Sequence, residues 1–421
     1  MIQPDRTQAP PFQLSSDYSL TQPEAFSLSG GQPVYAFRDI EQNVVKLDLV
    51  FEAGKWYESD LGVSYFASHL LPKGTSKRNS FQIAEALDML GAHLEVSAGY
   101  DTTTLSLFVL RKNFFASLII VIDLLQTPTF DENELRQEKE IFLQELRVNN
   151  EKTNVLASKE IRKAIFGENH PYGSSAEEPD VLAIQRETLL LFFRNHFHLQ
   201  SAYLIGRLSD EEIRKMLEVL AQPPSPRLVE STFSPQRGIS HRVEKPGSVQ
   251  SSIRLGRKCI QKSNRKEYFD AVVFNHVLGG FFGSRLMKNI REEKGLTYGI
   301  YSSMNHFLRE SYWVISADVN QQNVQEAIRE IRHEIKTLQE VPMPITELDI
   351  ARNYFIGSWQ SDNSTLFAVA DKIRNIHSFG LTDDYYQYLL EHVRLITPFQ
   401  IQAIANSHFD AADLIEIQVG G

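Results

Sequence analysis

The feature of the sequence that most restricts its fold is a weak internal repeat, with an offset of about 213 residues in a chain of 421. Short matches at this offset occur in the same order in both halves. They pair Glu134-Leu135 with Glu347-Leu348, Phe142 with Phe355, Phe166-Gly167 with Phe379-Gly380, and His196-Phe197 with His408-Phe409. Several matches at one offset predict two copies of a single structural unit.

The apolar pattern indicates what each copy contains. Residues 44–53 alternate as a strand with one buried face, and 102–110 also have strand character. Residues 81–90 repeat apolar side chains at helical spacing, and Asp131 begins a long helix that extends to about Asn149. Both halves share the order strand, helix, strands, long helices. This order predicts an α+β fold of two homologous domains, each an antiparallel sheet with helices packed on one face.

A proline-rich stretch separates the two copies. Residues 221–238 contain prolines at positions 223, 224, 226 and 235 among serines, which is typical of a linker. We therefore expect an N-terminal domain at 1–220, a linker at 221–238 and a C-terminal domain at 239–421. The first 30 or so residues are rich in Pro, Gln and Ser and are expected to form an arm.

Composition excludes several classes of protein. The single cysteine, Cys259, allows neither an internal disulfide nor a cysteine-based zinc site. A net charge of −10 without a dense basic stretch argues against nucleic-acid binding. The apolar run 114–125 is too short for a membrane span and contains Asp123. Because Met1 to Arg6 has no apolar signal core, we expect a cytoplasmic protein.

The helix expected around 61–70 carries a pattern related to a metal site. Tyr65, Ser68 and His69 are spaced i, i+3 and i+4, so they share one face. The inverted zinc motif H-x-x-E-H places two histidine ligands at i and i+4 and a general-base glutamate at i+3. Only the second histidine, His69, is present here.

The chain resembles the pitrilysin/insulinase-type zinc metallopeptidase family, the inverzincins. The features that carry the resemblance are Gly62 before the motif, Lys73-Gly74-Thr75 after it, Glu145 at 76 positions beyond His69, the turn His170-Pro171-Tyr172-Gly173, and the segment 282–303. The resemblance implies tandem homologous domains and assigns Glu145 to the position of the distal zinc ligand. It also implies that Arg291 and Tyr298 hold the substrate backbone and help to stabilise the oxyanion.

Two departures from the family pattern affect the expected chemistry. Tyr65 replaces the first zinc histidine, and a phenol with a pKa of about 10 is a poor zinc ligand near neutral pH. Ser68 replaces the general base, so no carboxylate is available to take a proton from a metal-bound water. We expect no zinc hydrolase activity from this chain alone and no metal or other cofactor bound by it.

The resemblance implies a role as the non-catalytic subunit of a two-chain metallopeptidase. A homologous partner subunit would hold the zinc, and this chain would contribute Arg291, Tyr298 and half of a chamber for peptide substrates. A homodimer of the isolated chain is compatible with the homologous halves. Two alternatives stay open: a structural, scaffold or regulatory homologue, and an enzyme with a rebuilt metal site.

Each candidate residue also has a purely structural interpretation. His69 could be a core or cap histidine, and Glu145 a solvent-facing residue of a charged helix. Arg291 near a helix C-terminus would complement the macrodipole whatever its function. Tyr298 alternates with Leu296 and Ile300, so it could belong to a sheet core.

Overall fold

The computed structural model describes residues 20–221, 233–234 and 236–421. Its strands are β1 (Glu24–Ser27), β2 (Pro33–Phe37), β3 (Val44–Phe51), β4 (His93–Ala98), β5 (Thr103–Leu110), β6 (Leu199–Ile205), β7 (His241–Glu244), β8 (Gln250–Lys258), β9 (Thr297–His306), β10 (Ser311–Asn320) and β11 (Ile415–Gly420). Its α-helices are α1 (Val63–Leu70), α2 (Ser80–Met89), α3 (Phe114–Gln126), α4 (Glu132–Asn150), α5 (Thr153–Phe166), α6 (Glu178–Ala183), α7 (Arg186–His196), α8 (Asp210–Val219), α9 (Arg265–Asn275), α10 (Val324–Glu340), α11 (Ile345–Asp362), α12 (Leu366–Ser378), α13 (Tyr385–Leu395) and α14 (Pro398–His408). Two π-helical segments, His276–Gly280 and Met287–Glu293, follow α9.

The strands form two sheets of related topology. The first sheet has the order β1-β2-β6-β3-β5-β4, and the second has the order β7-β11-β8-β10-β9. Neighbouring strands are antiparallel except for one parallel pair in each sheet, β2 with β6 and β7 with β11. The last strand of each half is inserted into its sheet in an equivalent place, β6 between β2 and β3 and β11 between β7 and β8. The α+β class is confirmed, and the shared strand order agrees with the predicted repeat.

Helices cover both faces of each sheet, because each half contributes one helix to the other half. Helix α5 packs on β8 and β11, where Ile161 and Ile165 are buried together with Ile417. Helix α12 packs on β6, where Ile373 is buried in one cluster with Ile205. The single buried face predicted for β3 is therefore wrong, since its residues from Val45 to Phe51 are buried on both sides.

Charged side chains fix α12 against the first sheet. Asp48 of β3 is buried and accepts a hydrogen bond of 2.6 Å from Arg374 of α12. Lys46, also buried on β3, lies 3.0 Å from both Asp48 and Asp371. These charges are paired across the interface between β3 and α12. A buried charge without such a partner would be strongly destabilising.

A second polar contact joins the β9–β10 turn to the first half. Asp101 accepts hydrogen bonds from the Tyr172 hydroxyl (2.5 Å), the Leu308 amide (3.0 Å) and Arg309 (3.2 Å). The guanidinium of Arg309 also lies 4.3 Å from the ring centroid of Trp56. Burial raises the pKa of Asp101, and its hydrogen-bond donors oppose that rise. The two halves are thus joined by ionic as well as apolar contacts.

Parts of the predicted arm and linker fall outside the described residues. Residues 1–19, 222–232 and 235 are not described. The arm interpretation is wrong for Glu24–Ser27, which forms β1 and pairs with β2. At the far end of the linker stretch, the amides of Gln236 and Gly238 bond the carbonyls of Phe166 and Ala164. The boundaries 1–220 and 239–421 stay a proposal.

Candidate functional site

Helix α1 carries the degenerate zinc motif and begins in an unusual way. Its N-cap, Gly62, has φ 95°, a left-handed conformation that favours glycine. The carboxylate of Glu58 accepts hydrogen bonds from the Ser64 amide (2.9 Å) and hydroxyl (2.6 Å). Glu58 therefore caps the helix from outside it. This contact was not predicted, because a cap four residues before the N-cap has no sequence signature.

The side chains of Tyr65 and His69 stack on one another along α1. Their ring centroids are 3.8 Å apart, with an interplanar angle of 23°. His69 Nδ1 lies 2.9 Å from the Tyr65 carbonyl oxygen, and because a carbonyl only accepts, Nδ1–H is the donor. In the neutral imidazole the remaining lone pair is then on Nε2. His69 is half-buried, so it is not a core histidine.

The acidic face of α4 lies beside Tyr65. The Tyr65 hydroxyl donates a hydrogen bond of 3.3 Å to Glu138, and its ring lies 4.8 Å from that of Phe142. Burial, followed by the charges of Glu138 and Glu145, raises the pKa of Tyr65. The phenol thus stays protonated near neutral pH and acts as a hydrogen-bond donor. Tyr65 and His69 are in contact, and the charge of Glu145 acts on Tyr65, whereas Glu138 was missed although it lies seven residues before Glu145 on the same helix face.

Ser68 points toward the first sheet. Its side chain is fully buried, and its hydroxyl lies 3.3 Å from that of Thr103 on β5. The Thr103 hydrogen is already donated to the Ala53 carbonyl at 2.7 Å, so Ser68 is the donor to Thr103. A hydroxyl held in this way cannot replace a carboxylate as general base.

The residues of this site do not fit a catalytic zinc ion. A catalytic zinc is normally held by three protein ligands and one water. Here Tyr65, at the position of the first zinc histidine, is a protonated phenol that donates a hydrogen bond to Glu138. Across the described ranges, no group of three or more His, Cys, Asp or Glu side chains is arranged to hold a metal ion.

Arg291 and Tyr298 lie on the surface of the second half. The Tyr298 side chain on β9 is 89% exposed, so its interpretation as a sheet-core residue is wrong. Arg291 lies in the last turn of Met287–Glu293, with its guanidinium 4.6 Å from the ring centroid of Phe282. Within the part of the chain that the structure describes, Arg291 has neither a hydrogen bond nor an ion pair.

Comparison with known proteins gives consistent matches over both halves. Residues 34–180 match the model described as insulinase (peptidase family M16), and residues 183–355 match the model of the peptidase M16 inactive domain. An uncharacterized zinc protease of Rickettsia bellii is 25% identical over 397 residues, which is 92% of each chain. A protein of Helicobacter pylori named a non-peptidase homolog is 23% identical over 364 residues, covering 85% of this chain and 84% of its own.

A solved structure shows the same fold. The crystal structure of a peptidase M16 inactive domain from Pseudomonas fluorescens superposes with a TM-score of 0.85 and 23% sequence identity, covering 94% of this chain and 98% of that one. Among the described residues, no helix combines the length and apolar character needed to cross a bilayer.

The family resemblance inferred from the motifs is confirmed. Two models of the same family match consecutive segments that extend from the first sheet into the second half of the chain. The motif helix α1, with Tyr65 and Ser68 at two of its motif positions, lies within the first of these segments. This chain therefore belongs to the insulinase family, peptidase family M16, as a member with an incomplete zinc motif.

Proposed function

We propose that this chain is a non-catalytic subunit of a two-chain, cytoplasmic zinc metallopeptidase. It binds and positions peptide substrate for a homologous partner subunit that holds the zinc. The observation that carries the proposal is a contrast between the two halves. The zinc motif lacks a ligand at Tyr65 and the base at Ser68, while Arg291 and Tyr298 are present. Within the described residues neither of these two side chains has a hydrogen bond or an ion pair, and Tyr298 is 89% exposed.

The state of Tyr65 supports the absence of hydrolysis by this chain alone. Burial and the neighbouring carboxylates raise the pKa of Tyr65, so the phenolate that could bind zinc does not form near neutral pH. The Ser68 hydroxyl is buried against Thr103 and offers no carboxylate to act as a base. Hydrolysis through zinc therefore needs a second chain.

The donors of the second half suit a different task. A guanidinium offers a fork of N–H groups, and a phenol offers one O–H, both of which bind a peptide carbonyl or a developing oxyanion. Tyr298 is almost fully exposed, and Arg291 has no acidic partner among the described residues. In the proposed complex, the zinc site of the partner subunit faces Arg291 and Tyr298 across a substrate chamber, so that both side chains can bind the peptide at the zinc.

The test is reconstitution with a homologous chain that carries an intact H-x-x-E-H motif. We expect the chains to co-purify, and Arg291→Ala or Tyr298→Phe to lower peptide turnover by the pair about tenfold or more, since such donors act in the transition state. Arg242→Ala and Tyr388→Phe are matched controls, because both residues are exposed elsewhere in the second half. Unchanged turnover with both site variants would contradict the proposal.

The second candidate is a scaffold or regulatory homologue without a part in proteolysis. It is favoured by the name of the Helicobacter pylori relative, which describes that protein as a non-peptidase homolog. A scaffold would pair with other proteins, and peptide turnover by the pair would not respond to Arg291→Ala or Tyr298→Phe. The same reconstitution therefore separates the two candidates.

A further inference from the structure

We infer that Phe282 is a positioning residue, whose ring holds the Arg291 guanidinium ready for a peptide carbonyl or carboxylate. The inference rests on the proposed function for the identity of the ligand. Its structural part, the control of Arg291 by the Phe282 ring, can be tested without any peptide. The Phe282 side chain is 56% exposed.

The conformation of the preceding residue explains why Phe282 faces outward. Phe281 has an extended backbone, with φ −152° and ψ 171°. Its ring is buried, lying 4.6 Å from the ring of His276 and 4.9 Å from that of Tyr354. Successive side chains of an extended chain point to opposite sides. With Phe281 anchored in the core, Phe282 must project toward solvent.

The turn that carries Phe282 is also held on its other side. Arg285 makes two hydrogen bonds to the Glu347 carboxylate, of 2.8 and 2.9 Å. The Ser284 amide bonds the Phe281 carbonyl at 3.1 Å. A Cβ atom at Gly283 would lie 2.8 Å from the Phe281 ring, so the close turn depends on glycine there. The position of the Phe282 ring is thus defined by its neighbours.

The ring then restricts Arg291. An unpaired arginine side chain has many rotamers, and ordering it on binding opposes association. Here the guanidinium lies 4.6 Å from the Phe282 ring centroid, within the range of a cation–π contact. Among the described residues, the guanidinium N–H groups make no hydrogen bond and no ion pair. These groups stay available for a bidentate contact with a ligand oxygen.

The first experiment measures binding of a fluorescein-labelled, unstructured peptide of about 20 residues to the full chain by anisotropy. We expect Phe282→Ala and Phe282→Leu to weaken binding about two- to fivefold, and Phe282→Trp to retain it, because the contact needs an aromatic face. Phe399→Leu is the matched control, since Phe399 is 71% exposed on α14. If Arg291→Ala weakens binding, equal binding by Phe282→Leu and the wild type would overturn the inference.

The second experiment separates the inference from the proposed function. The rate at which phenylglyoxal modifies Arg291, followed by peptide mass spectrometry, should rise in Phe282→Ala and Phe282→Leu and return to the wild-type value in Phe282→Trp. If Arg291→Ala leaves peptide binding unchanged, the peptide-binding function fails, while the modification rates still decide the role of Phe282. Equal rates in all four proteins would overturn the inference, whatever the peptide result.

Discussion

The phenol ring of Tyr65 lies 3.8 Å, centroid to centroid, from the imidazole of His69, the one histidine of the zinc motif that this chain keeps. The tyrosine therefore does more than remove a ligand. Its hydroxyl donates to Glu138 of α4, and its ring stacks on the imidazole. The retained histidine is held in a hydrogen-bonded, stacked arrangement that does not need a metal ion.

Replacing Tyr65 by histidine should create a zinc site. The variant would offer two imidazoles four residues apart and, as third ligand, the carboxylate of Glu145, which the resemblance assigns to the distal ligand position. We expect one zinc ion per chain in Tyr65→His, measured by calorimetric titration, and loss of that binding in Tyr65→His/Glu145→Gln. Equal zinc binding by the wild type would contradict the claim that Tyr65 prevents zinc binding.

Restoring a glutamate at position 68 should destabilise the protein. Ser68 is fully buried against Thr103, so a carboxylate there would lack a cationic partner. We expect Ser68→Glu to lower the free energy of unfolding by about 2 kcal/mol or more in urea titrations. Ser68→Ala removes a single long hydrogen bond and should lower it by about 1 kcal/mol. A Glu variant as stable as the Ala variant would mean that the side chain reaches solvent.

The two halves should unfold in one cooperative transition. Each sheet is covered by a helix of the other half, so neither half retains its core alone. We expect a single calorimetric peak whose calorimetric and van't Hoff enthalpies agree. Asp101→Ala should destabilise that same transition by about 3 kcal/mol, because Arg309 and Tyr172 lose their buried acceptor. Two separate peaks, with one unaffected by the substitution, would contradict the reciprocal packing.

Stability should decrease between about pH 6.5 and pH 4 through His276. Burial lowers the pKa of His276 to about 4, although its hydrogen bond to the Ala351 carbonyl opposes the shift. In this window the unfolded chain binds the proton more readily than the folded chain, so the contribution is complete above pH 6.5 and is lost as pH falls. The loss by pH 4 is about 3 kcal/mol.

The variant His276→Gln checks this assignment, because an amide can still donate to Ala351 but does not titrate in this range. It should reduce the slope of unfolding free energy against pH, measured by urea titration at several pH values. The exposed His333→Gln is the matched control and should leave the slope unchanged. An unaltered slope in His276→Gln would assign the acid sensitivity to other groups.

The sequence was sufficient for the elements that depend on local patterns. The long helix after Asp131, the stop of α2 near Gly91 and the α+β repeat follow from apolar spacing and end signals. The alternation in β3 predicted one buried face, and this prediction was wrong. The second face of β3 is covered by α12, which lies more than 300 residues away in sequence. Contacts at that separation leave no periodic signal in either segment.

The candidate site divides in the same way. The shared helix face of Tyr65 and His69 follows from their spacing, and resemblance supplied the significance of Glu145, Arg291 and Tyr298. The burial of Ser68 depends on packing against Thr103 of the first sheet, and the cap of α1 by Glu58 has no sequence signature. The contact of Phe282 with Arg291 depends on the burial of Phe281, which the sequence alone does not distinguish from that of Phe282.

The most direct test of the account measures turnover of a labelled unstructured peptide, with zinc present, by this chain alone, by a homologous H-x-x-E-H chain alone, and by the two together. We predict turnover by the pair that exceeds the sum of the separate chains, and none by this chain alone, because Tyr65 and Ser68 leave it without a third ligand and a base. Zinc-dependent turnover by the purified chain alone would contradict the account, as would a pair no faster than the H-x-x-E-H chain by itself.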